Sequence, residues 1–233
     1  MTMIRDHLQT VTQRLASACE RAGRPVGSVQ LLAVSKTQPA QAVREACTAG
    51  QTAFGENYVA EAEAKMAALD DLRSVLTWHL IGPLQANKTR GVAERFDWVH
   101  SVDRLRIAQR LSEQRPPTLA PLQVCLQVNI SGEDSKSGVS PADLPALAEA
   151  VAALPRLKLR GLMVIPAPAD DLASQRAPLR ATRLLLDELN ARGLGLDTLS
   201  MGMSADLEAA VLEGATLVRI GTAIFGSRPA AAG

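Results

Sequence analysis

Lys36 is the residue whose type and position most favour covalent chemistry. It follows the apolar run at 29–34 and Ser35, and this run has the length and composition of a strand buried on both faces. A lysine that leaves such a strand is partly desolvated, and a neutral amine can attack a carbonyl to form a Schiff base. A lysine at a strand end can equally turn to solvent, so this chemistry needs companion residues.

Two turns near the C-terminus could bind an anion. The first contains Ser200, Met201 and Ser204 and joins a predicted strand to a predicted helix; the second contains Gly221 and Thr222 and follows the last predicted strand. Small residues in such turns let backbone N–H groups and hydroxyls point at one centre. Helix capping and tight turning also explain serine and glycine, but the two turns together favour a phosphate site.

Arg219 lies inside the last predicted strand, where an arginine needs a partner or a function. One interpretation is an ion pair with Glu56 or Glu208. The other is donation to a ring nitrogen or a carboxylate of a ligand. Together with Lys36 and the phosphate turns, the second interpretation suggests pyridoxal 5′-phosphate, which is an aldehyde with a phosphate and a ring nitrogen.

The elements that must position these residues alternate along the chain. Apolar residues at steps of three and four predict a first helix over 4–22, which ends at Gly23. Eight strands are predicted at 29–35, 52–54, 76–81, 98–101, 123–130, 157–165, 198–200 and 216–220. Helices are predicted at 39–49, 56–69, 84–95, 104–113 with Asp103 as cap, after Pro141, at 171–192 with Pro178 kinking or splitting it, and at 204–213.

This alternation predicts an α/β fold, a single (β/α)₈ barrel of the TIM type with an extra N-terminal helix. An open doubly wound sheet is the rival, since alternation alone does not show closure. The barrel is favoured because unusual residues follow the strand ends, where barrels carry their functional face. No linker or composition break divides residues 1–233, so we predict one domain, with a disordered tail at 228–233.

Composition excludes several classes of protein. The 25 Lys and Arg residues and 24 Asp and Glu residues give a net charge of +1, which argues against nucleic-acid binding through a large basic surface. The N-terminus has no apolar signal segment, and no run is suited to a membrane span. Three widely spaced cysteines indicate neither a disulfide framework nor a zinc site. We therefore expect a soluble, cytoplasmic protein that binds neither nucleic acid nor membrane.

Seven segments together resemble the pyridoxal phosphate homeostasis protein family. They span residues 31 to 226 and read LLAVSKTQP, FGENYV, WHLIGPLQANK, NISGEDSKSG, LRGLMVIP, LSMGMSADLEAA and VRIGTAIFG. The family is similar to the N-terminal barrel domain of alanine racemase, and its members bind pyridoxal phosphate without an established catalytic reaction. The resemblance implies a monomer that handles this cofactor and related B6 vitamers and delivers it to pyridoxal-phosphate-dependent apo-enzymes.

The resemblance also implies roles for individual residues. Lys36 would hold the cofactor as a Schiff base, Arg219 would face the pyridine nitrogen, and Asn57 would lie beside the ring. The phosphate would be held by the residues of the two turns, namely Ser200, Met201, Ser204, Gly221 and Thr222. Many relatives have a second lysine two positions after the first, where this chain has Gln38, and this departure leaves no transfer lysine there.

Two enzymatic alternatives remain open from the sequence. One is an amino-acid racemase or other pyridoxal-phosphate enzyme, and the other is a Schiff-base aldolase acting on phosphosugars. Arg219 disfavours the first because a guanidinium does not readily give a proton to the pyridine nitrogen, so the ring stays a poor electron sink. The racemase relatives also use a tyrosine from a second domain. The single tyrosine here, Tyr58, is next to Asn57 in the sequence, but a position on the barrel exterior suits it as well as one in the site.

The remaining polar residues carry weaker signals. His79 lies in the middle of a predicted strand, which is typical of a core histidine, and His100 lies near a strand end. No histidine pair has the spacing of metal ligands, so we predict no metal. Lys136 follows the fifth predicted strand and is a minor candidate for a secondary contact with the ligand.

Overall fold

The fold is a closed barrel of eight parallel strands, as a computed structural model of residues 3–132 and 137–226 shows. The strands pair in chain order, and β8 closes the barrel on β1. The strands are β1 (Gln30–Val34), β2 (Ala53–Glu56), β3 (Thr77–Leu80), β4 (Trp98–Val102), β5 (Leu122–Gln127), β6 (Leu157–Met163), β7 (Thr198–Ser200) and β8 (Leu217–Ile220). The predicted barrel is therefore confirmed, and the open sheet is wrong.

Helices surround the barrel. They are α1 (Met3–Arg21), α2 (Ala40–Thr48), α3 (Val59–Ala68), α4 (Thr89–Arg95), α5 (Leu105–Gln114), α6 (Leu144–Ala152), α7 (Leu172–Ala191), α8 (Leu207–Leu212) and α9 (Thr222–Phe225). Short 3₁₀ helices occur at Asp70–Leu72 and Ala86–Lys88. In the part of the chain described, no helix has the length and apolar character needed to cross a membrane.

Alternation along each strand separates an outer core from the barrel interior. The larger apolar cluster joins the helices to the outward side chains of the strands, such as Phe54, Val99 and Val218. A separate small cluster is formed by Leu32, Ala53 and Leu217. The buried polar residues His79, His100, Ser200 and Arg219 also lie in the interior, whereas branched apolar side chains usually fill such a barrel.

The structure corrects several predicted element bounds. Glu56 is the last residue of β2 rather than the start of a helix, because its backbone continues the pairing with β3 through Leu80. Asp103 does not cap α5, whose N-cap is Arg104 without a side-chain cap bond. Pro178 lies within α7 and does not split it.

The C-terminal elements also differ from the predictions. The helix predicted from Ser204 begins at Leu207, after a turn, and α9 was not predicted at all. A helix of four residues is too short to show apolar periodicity, so the sequence carries no signal for α9. The predicted tail at 228–233 lies outside the described residues.

Candidate functional site

Lys36 lies just past the end of β1, at the carboxyl end of the barrel. It is half-buried and lines a small cavity of about 70 Å³ together with Gly221 and Thr222. Residues Val34 and Gln38 contribute to the same wall. The pairing of β1 with β8 causes this meeting, because it brings the ends of the first and the last strand side by side. The structure thus places the candidate amine beside one of the two candidate phosphate turns.

The loop that presents Lys36 is fixed from one side by Lys65 on α3. The Lys65 ammonium is buried and donates to the carbonyl oxygen of Ser35 at 2.7 Å and to Glu56 Oε1 at 2.6 Å. The hydroxyl of Ser35 donates to the same Glu56 oxygen at 2.6 Å. Burial raises the pKa of the Glu56 carboxyl, while Lys65 and Ser35 act against that rise. This cluster holds Ser35, the residue directly before Lys36.

The residue after Lys36 is fixed as well. Thr37 has φ +63°, a left-handed conformation that costs energy for a threonine. Its backbone N–H donates to Glu61 Oε1 at 2.6 Å, and Lys65 Nζ lies 3.1 Å from that same oxygen. The strained turn is therefore held by a charged acceptor. Strain of this kind persists where the surrounding structure determines it, often at ligand sites.

The turn between β7 and α8 is shaped by a glycine and tied to α1. Gly202 has φ +101°, and a Cβ atom there would lie 2.5 Å from Ala210 Cβ, so a larger residue does not fit. The half-buried Ser204 accepts through its carbonyl oxygen from Arg14 Nη1 at 2.9 Å. Arg14 also pairs with Glu208. The Ser204 hydroxyl makes no hydrogen bond among the described residues.

The other two residues of this turn face inward rather than toward an open cavity. Met201 is fully buried, and its N–H donates to the carbonyl oxygen of Leu217 at 3.1 Å. Ser200 is also fully buried, and its hydroxyl contacts His100 and Arg219. The predicted phosphate contacts of Ser200 and Met201 stay predictions. In the structure, the Ser200 side chain accepts a hydrogen bond from Arg219.

Arg219 is 4% exposed and has no carboxylate partner among the described residues. Its Nη1 donates to the carbonyl oxygen of Ser200 at 2.6 Å and to Ser200 Oγ at 2.9 Å, and its Nη2 donates to the carbonyl oxygen of Val164 at 2.9 Å. The predicted ion pair is therefore wrong, because Glu56 pairs with Lys65 and Glu208 pairs with Arg14. Burial lowers the pKa of Arg219 to about 10.

Asn57 follows β2 and lines a second cavity at the same end of the barrel, of about 260 Å³. Its Oδ1 atom is buried and makes no hydrogen bond within the described residues. Gly82 packs against it so closely that a Cβ atom would lie 2.3 Å from the Asn57 carbonyl oxygen. The described lining of this cavity, which includes Ile81, Gln127 and Asn129, carries no charged side chain.

The sequence did not reveal that two histidines meet inside the barrel. His79 Nδ1 lies 2.9 Å from His100 Nε2, and His100 Nδ1 lies 2.7 Å from Ser200 Oγ. Burial lowers the pKa of His79 to about 3 and that of His100 well below its usual value. A usable signal existed, because each histidine is the third residue of its strand, and β3 and β4 are neighbours.

Two further residues singled out in the sequence remain to be placed. Tyr58 is 56% exposed, which agrees with the exterior position that the sequence left open for it. Lys136 lies outside the described residues, so its predicted contact stays a prediction.

The sequence matches a known domain family and curated relatives over almost its whole length. The alanine racemase N-terminal domain family matches residues 7–229. The pyridoxal phosphate homeostasis protein of Pseudomonas aeruginosa is 63% identical over 228 residues, covering 98% of this chain and 97% of that protein. The protein of the same name from Escherichia coli is 53% identical over 229 residues, covering 98% of each.

A solved structure supports the same assignment. PipY of Synechococcus elongatus, with pyridoxal phosphate bound, is 43% identical and superposes with a TM-score of 0.83, covering 96% of this chain and all of that one. Identity at this level across the whole barrel shows shared descent as well as shared fold. The chain therefore belongs to the pyridoxal phosphate homeostasis proteins, a family built on the alanine racemase N-terminal barrel.

Proposed function

We propose that this protein binds pyridoxal 5′-phosphate through a Schiff base to Lys36 and acts in its homeostasis, holding the cofactor for apo-enzymes that depend on it. The observation that carries the proposal is the cavity shared by Lys36, Gly221 and Thr222, where an amine meets a turn of backbone N–H groups. The relatives named for this function, and the cofactor bound to PipY, support it.

The residues present fit this cofactor. Lys36 offers an amine within a cavity, and the Ser204 hydroxyl, unbonded among the described residues, can donate to a phosphate. Arg219 is a buried cation that forms no ion pair among the described residues, with Asp206 acting on it only at longer range, and a bound dianion would add negative charge near it. The buried Asn57 Oδ1, which has no described partner, can accept a hydrogen bond from a ring substituent.

The same residues limit the chemistry of the site. When bound, the cofactor supplies an aldehyde for covalent attachment and a ring able to withdraw electrons. Arg219 can donate a hydrogen bond to the ring nitrogen but keeps its own proton even with its pKa lowered to about 10. The ring nitrogen therefore stays unprotonated, and electron withdrawal is weak. We propose that the protein holds the cofactor without a strong catalytic activity.

The proposed setting is a monomer in the cytoplasm. The three cysteines, at positions 19, 47 and 125, are all free thiols, which is typical of a reducing compartment. Burial raises the pKa of Cys125 to about 12, so that thiol is unreactive as well.

Attachment is tested with Lys36→Ala. Wild-type protein incubated with pyridoxal phosphate should show a visible absorption band that borohydride removes, leaving a stable adduct on Lys36, and Lys36→Ala should show no such adduct. Lys158→Ala is the matched control, because Lys158 is exposed near the start of β6, at the opposite end of the barrel. An adduct of full yield in Lys36→Ala would reject the assignment.

Absence of strong catalysis is tested with L-alanine in deuterated solvent. We expect exchange at Cα no faster than with free pyridoxal phosphate at equal concentration, since neither a protonated ring nor a second acid is provided. Rapid exchange that disappears with Lys36→Ala would favour the racemase-like alternative. Cleavage of a phosphosugar that also requires Lys36 would favour the aldolase.

A further inference from the structure

A line of hydrogen bonds crosses the barrel interior from β3 to β8. It runs from His79 through His100 and Ser200 to Arg219, and we call these four residues the buried polar chain. The links are 2.9 Å between the two histidines, 2.7 Å from His100 Nδ1 to Ser200 Oγ, and 2.9 Å from Arg219 Nη1 to Ser200 Oγ. All four side chains are between 0% and 4% exposed.

The hydrogen-bonding capacity of the groups decides where the protons lie. Arg219 is a donor only, so Ser200 Oγ must accept from it. The Ser200 hydroxyl hydrogen then finds its acceptor in His100 Nδ1, which puts the proton of His100 on Nε2. His100 Nε2–H in turn donates to His79 Nδ1, and His79 carries its proton on Nε2. Each link thus donates away from Arg219.

The reverse order satisfies fewer groups. If His100 Nδ1 carried the proton, Ser200 Oγ would accept twice and its own hydrogen would have no acceptor among the described residues. The forward order leaves one unpartnered atom within the buried polar chain, His79 Nε2. Buried polar groups are normally paired, so the order with fewer orphans is favoured. Both imidazoles are neutral in it, in agreement with their lowered pKa values.

The chain fixes the guanidinium of Arg219. Nη1 is occupied by the carbonyl and hydroxyl oxygens of Ser200, and Nη2 by the carbonyl oxygen of Val164. The Nε–H group and one Nη2–H group make no hydrogen bond within the described residues, so they are free for a ligand acceptor. The Ser200 hydroxyl accepts from Arg219 only while His100 takes its hydrogen, which makes His100 the residue that sets the position.

We propose that His100, acting through Ser200, is a positioning residue that aims Arg219 at the ring nitrogen of the bound cofactor. The inference rests on the proposed function. It predicts that the protein distinguishes a ligand with a ring nitrogen from one with a C–H group at that position only when His100 is present, although His100 does not itself touch the cofactor.

The test compares two ligands, pyridoxal phosphate and its deaza analogue, in which a C–H group replaces the ring nitrogen. A hydrogen bond from a charged donor makes wild-type protein prefer pyridoxal phosphate by about ten- to a hundredfold. His100→Leu should reduce this preference to less than about threefold, because Ser200 loses its acceptor and Arg219 its fixed position. His100→Asn, whose Oδ1 can replace Nδ1 as acceptor, should restore it.

Controls separate positioning from general damage. Val99→Ala lies on the same strand with its side chain in the outer core, and it should lower stability while keeping the preference between the ligands. If wild-type protein binds neither ligand, the proposed function itself fails. If it binds both equally, or if His100→Leu keeps the wild-type preference, the function survives and the positioning proposal is overturned.

A second measurement stays available if His100→Leu does not fold. Imidazole nitrogen chemical shifts of the ligand-free wild-type protein report which nitrogen of each histidine carries the proton. The expected result is protonated Nε2 and bare Nδ1 in both His79 and His100. A proton on His100 Nδ1 would reverse the chain and overturn the proposal.

Discussion

Acidification from pH 7.5 to pH 5 should destabilise the fold through its two buried histidines. Burial lowers the pKa of His79 to about 3, so His79 remains neutral in the folded protein over this range, and burial also lowers the pKa of His100 well below its usual value. In the unfolded chain each titrates near its ordinary pKa of about 6.5. The unfolded state therefore binds more protons as the pH falls, and the free energy of unfolding decreases.

The size of the effect follows from proton linkage. One histidine with an unfolded pKa of about 6.5 and no protonation in the folded state loses about 2 kcal/mol of stability between pH 7.5 and pH 5. This value applies to His79, and the lowered pKa of His100 adds a further loss of the same sign. A loss of about 2 kcal/mol or more is a substantial part of the 5–15 kcal/mol that stabilises a typical domain.

The assay is urea unfolding of the ligand-free protein at several pH values in this range. His79→Leu should reduce the pH-dependent loss by about 2 kcal/mol, and the double variant with His100→Leu should reduce it further, whatever their stability at pH 7.5. The raised pKa of Glu56 acts in the opposite direction but is common to all variants, so it cancels in the comparison.

The control again is Val99→Ala, a buried neighbour of His100 without a titratable group. It should lower the free energy of unfolding at every pH and keep the wild-type slope. A wild-type slope retained by the double variant would refute the reasoning, because it would mean that both histidines take up protons as readily in the folded protein as in the unfolded chain.

Two further substitutions test the loops around the site. Ser204→Ala should weaken binding of pyridoxal phosphate by about ten- to a hundredfold without changing the midpoint of thermal unfolding. The control, Ser174→Ala on α7, should leave the affinity unchanged. If the two variants bind the cofactor equally well, the phosphate lies elsewhere. Lys65→Met leaves the buried Glu56 unpaired and should cost about 3–5 kcal/mol of unfolding free energy, part of which Glu56→Leu in the same chain recovers. No recovery in the double variant would show that the ion pair is not the source of the loss.

The barrel could be predicted because its signals are local. Short apolar runs, glycines that end helices, and helical periodicity can each be recognised within one element. Few folds other than a barrel are compatible with eight strands that alternate with helices. The errors occurred where an element is short or where long-range pairing sets its end. Glutamate is depleted in strands, but pairing of β2 with β3 keeps Glu56 in the strand rather than in the predicted helix. The four residues of α9 are too few to show a period.

The candidate site could be predicted in part for the same reason. The carboxyl ends of barrel strands meet at one face, so Lys36, Gly221 and Thr222 could be placed near one another from their positions after β1 and β8. The buried polar chain could not be found in this way. His100 and Ser200 are 100 residues apart, and their contact depends on which face of each strand points inward and on how the closed barrel sets the strands across its interior.

Arg219 connects the stability of this barrel with its function. Burying a cation with no described carboxylate beside it is costly, and the barrel offsets that cost only with carbonyl oxygens and the Ser200 hydroxyl. An anionic ligand with a ring nitrogen would relieve the remaining cost, so affinity for such a ligand is already stored in the free protein. Under the proposed function, the same guanidinium would keep its proton and leave the ring nitrogen without one, which would weaken the cofactor as an electron sink. Tight holding and weak chemistry would then both follow from this one residue.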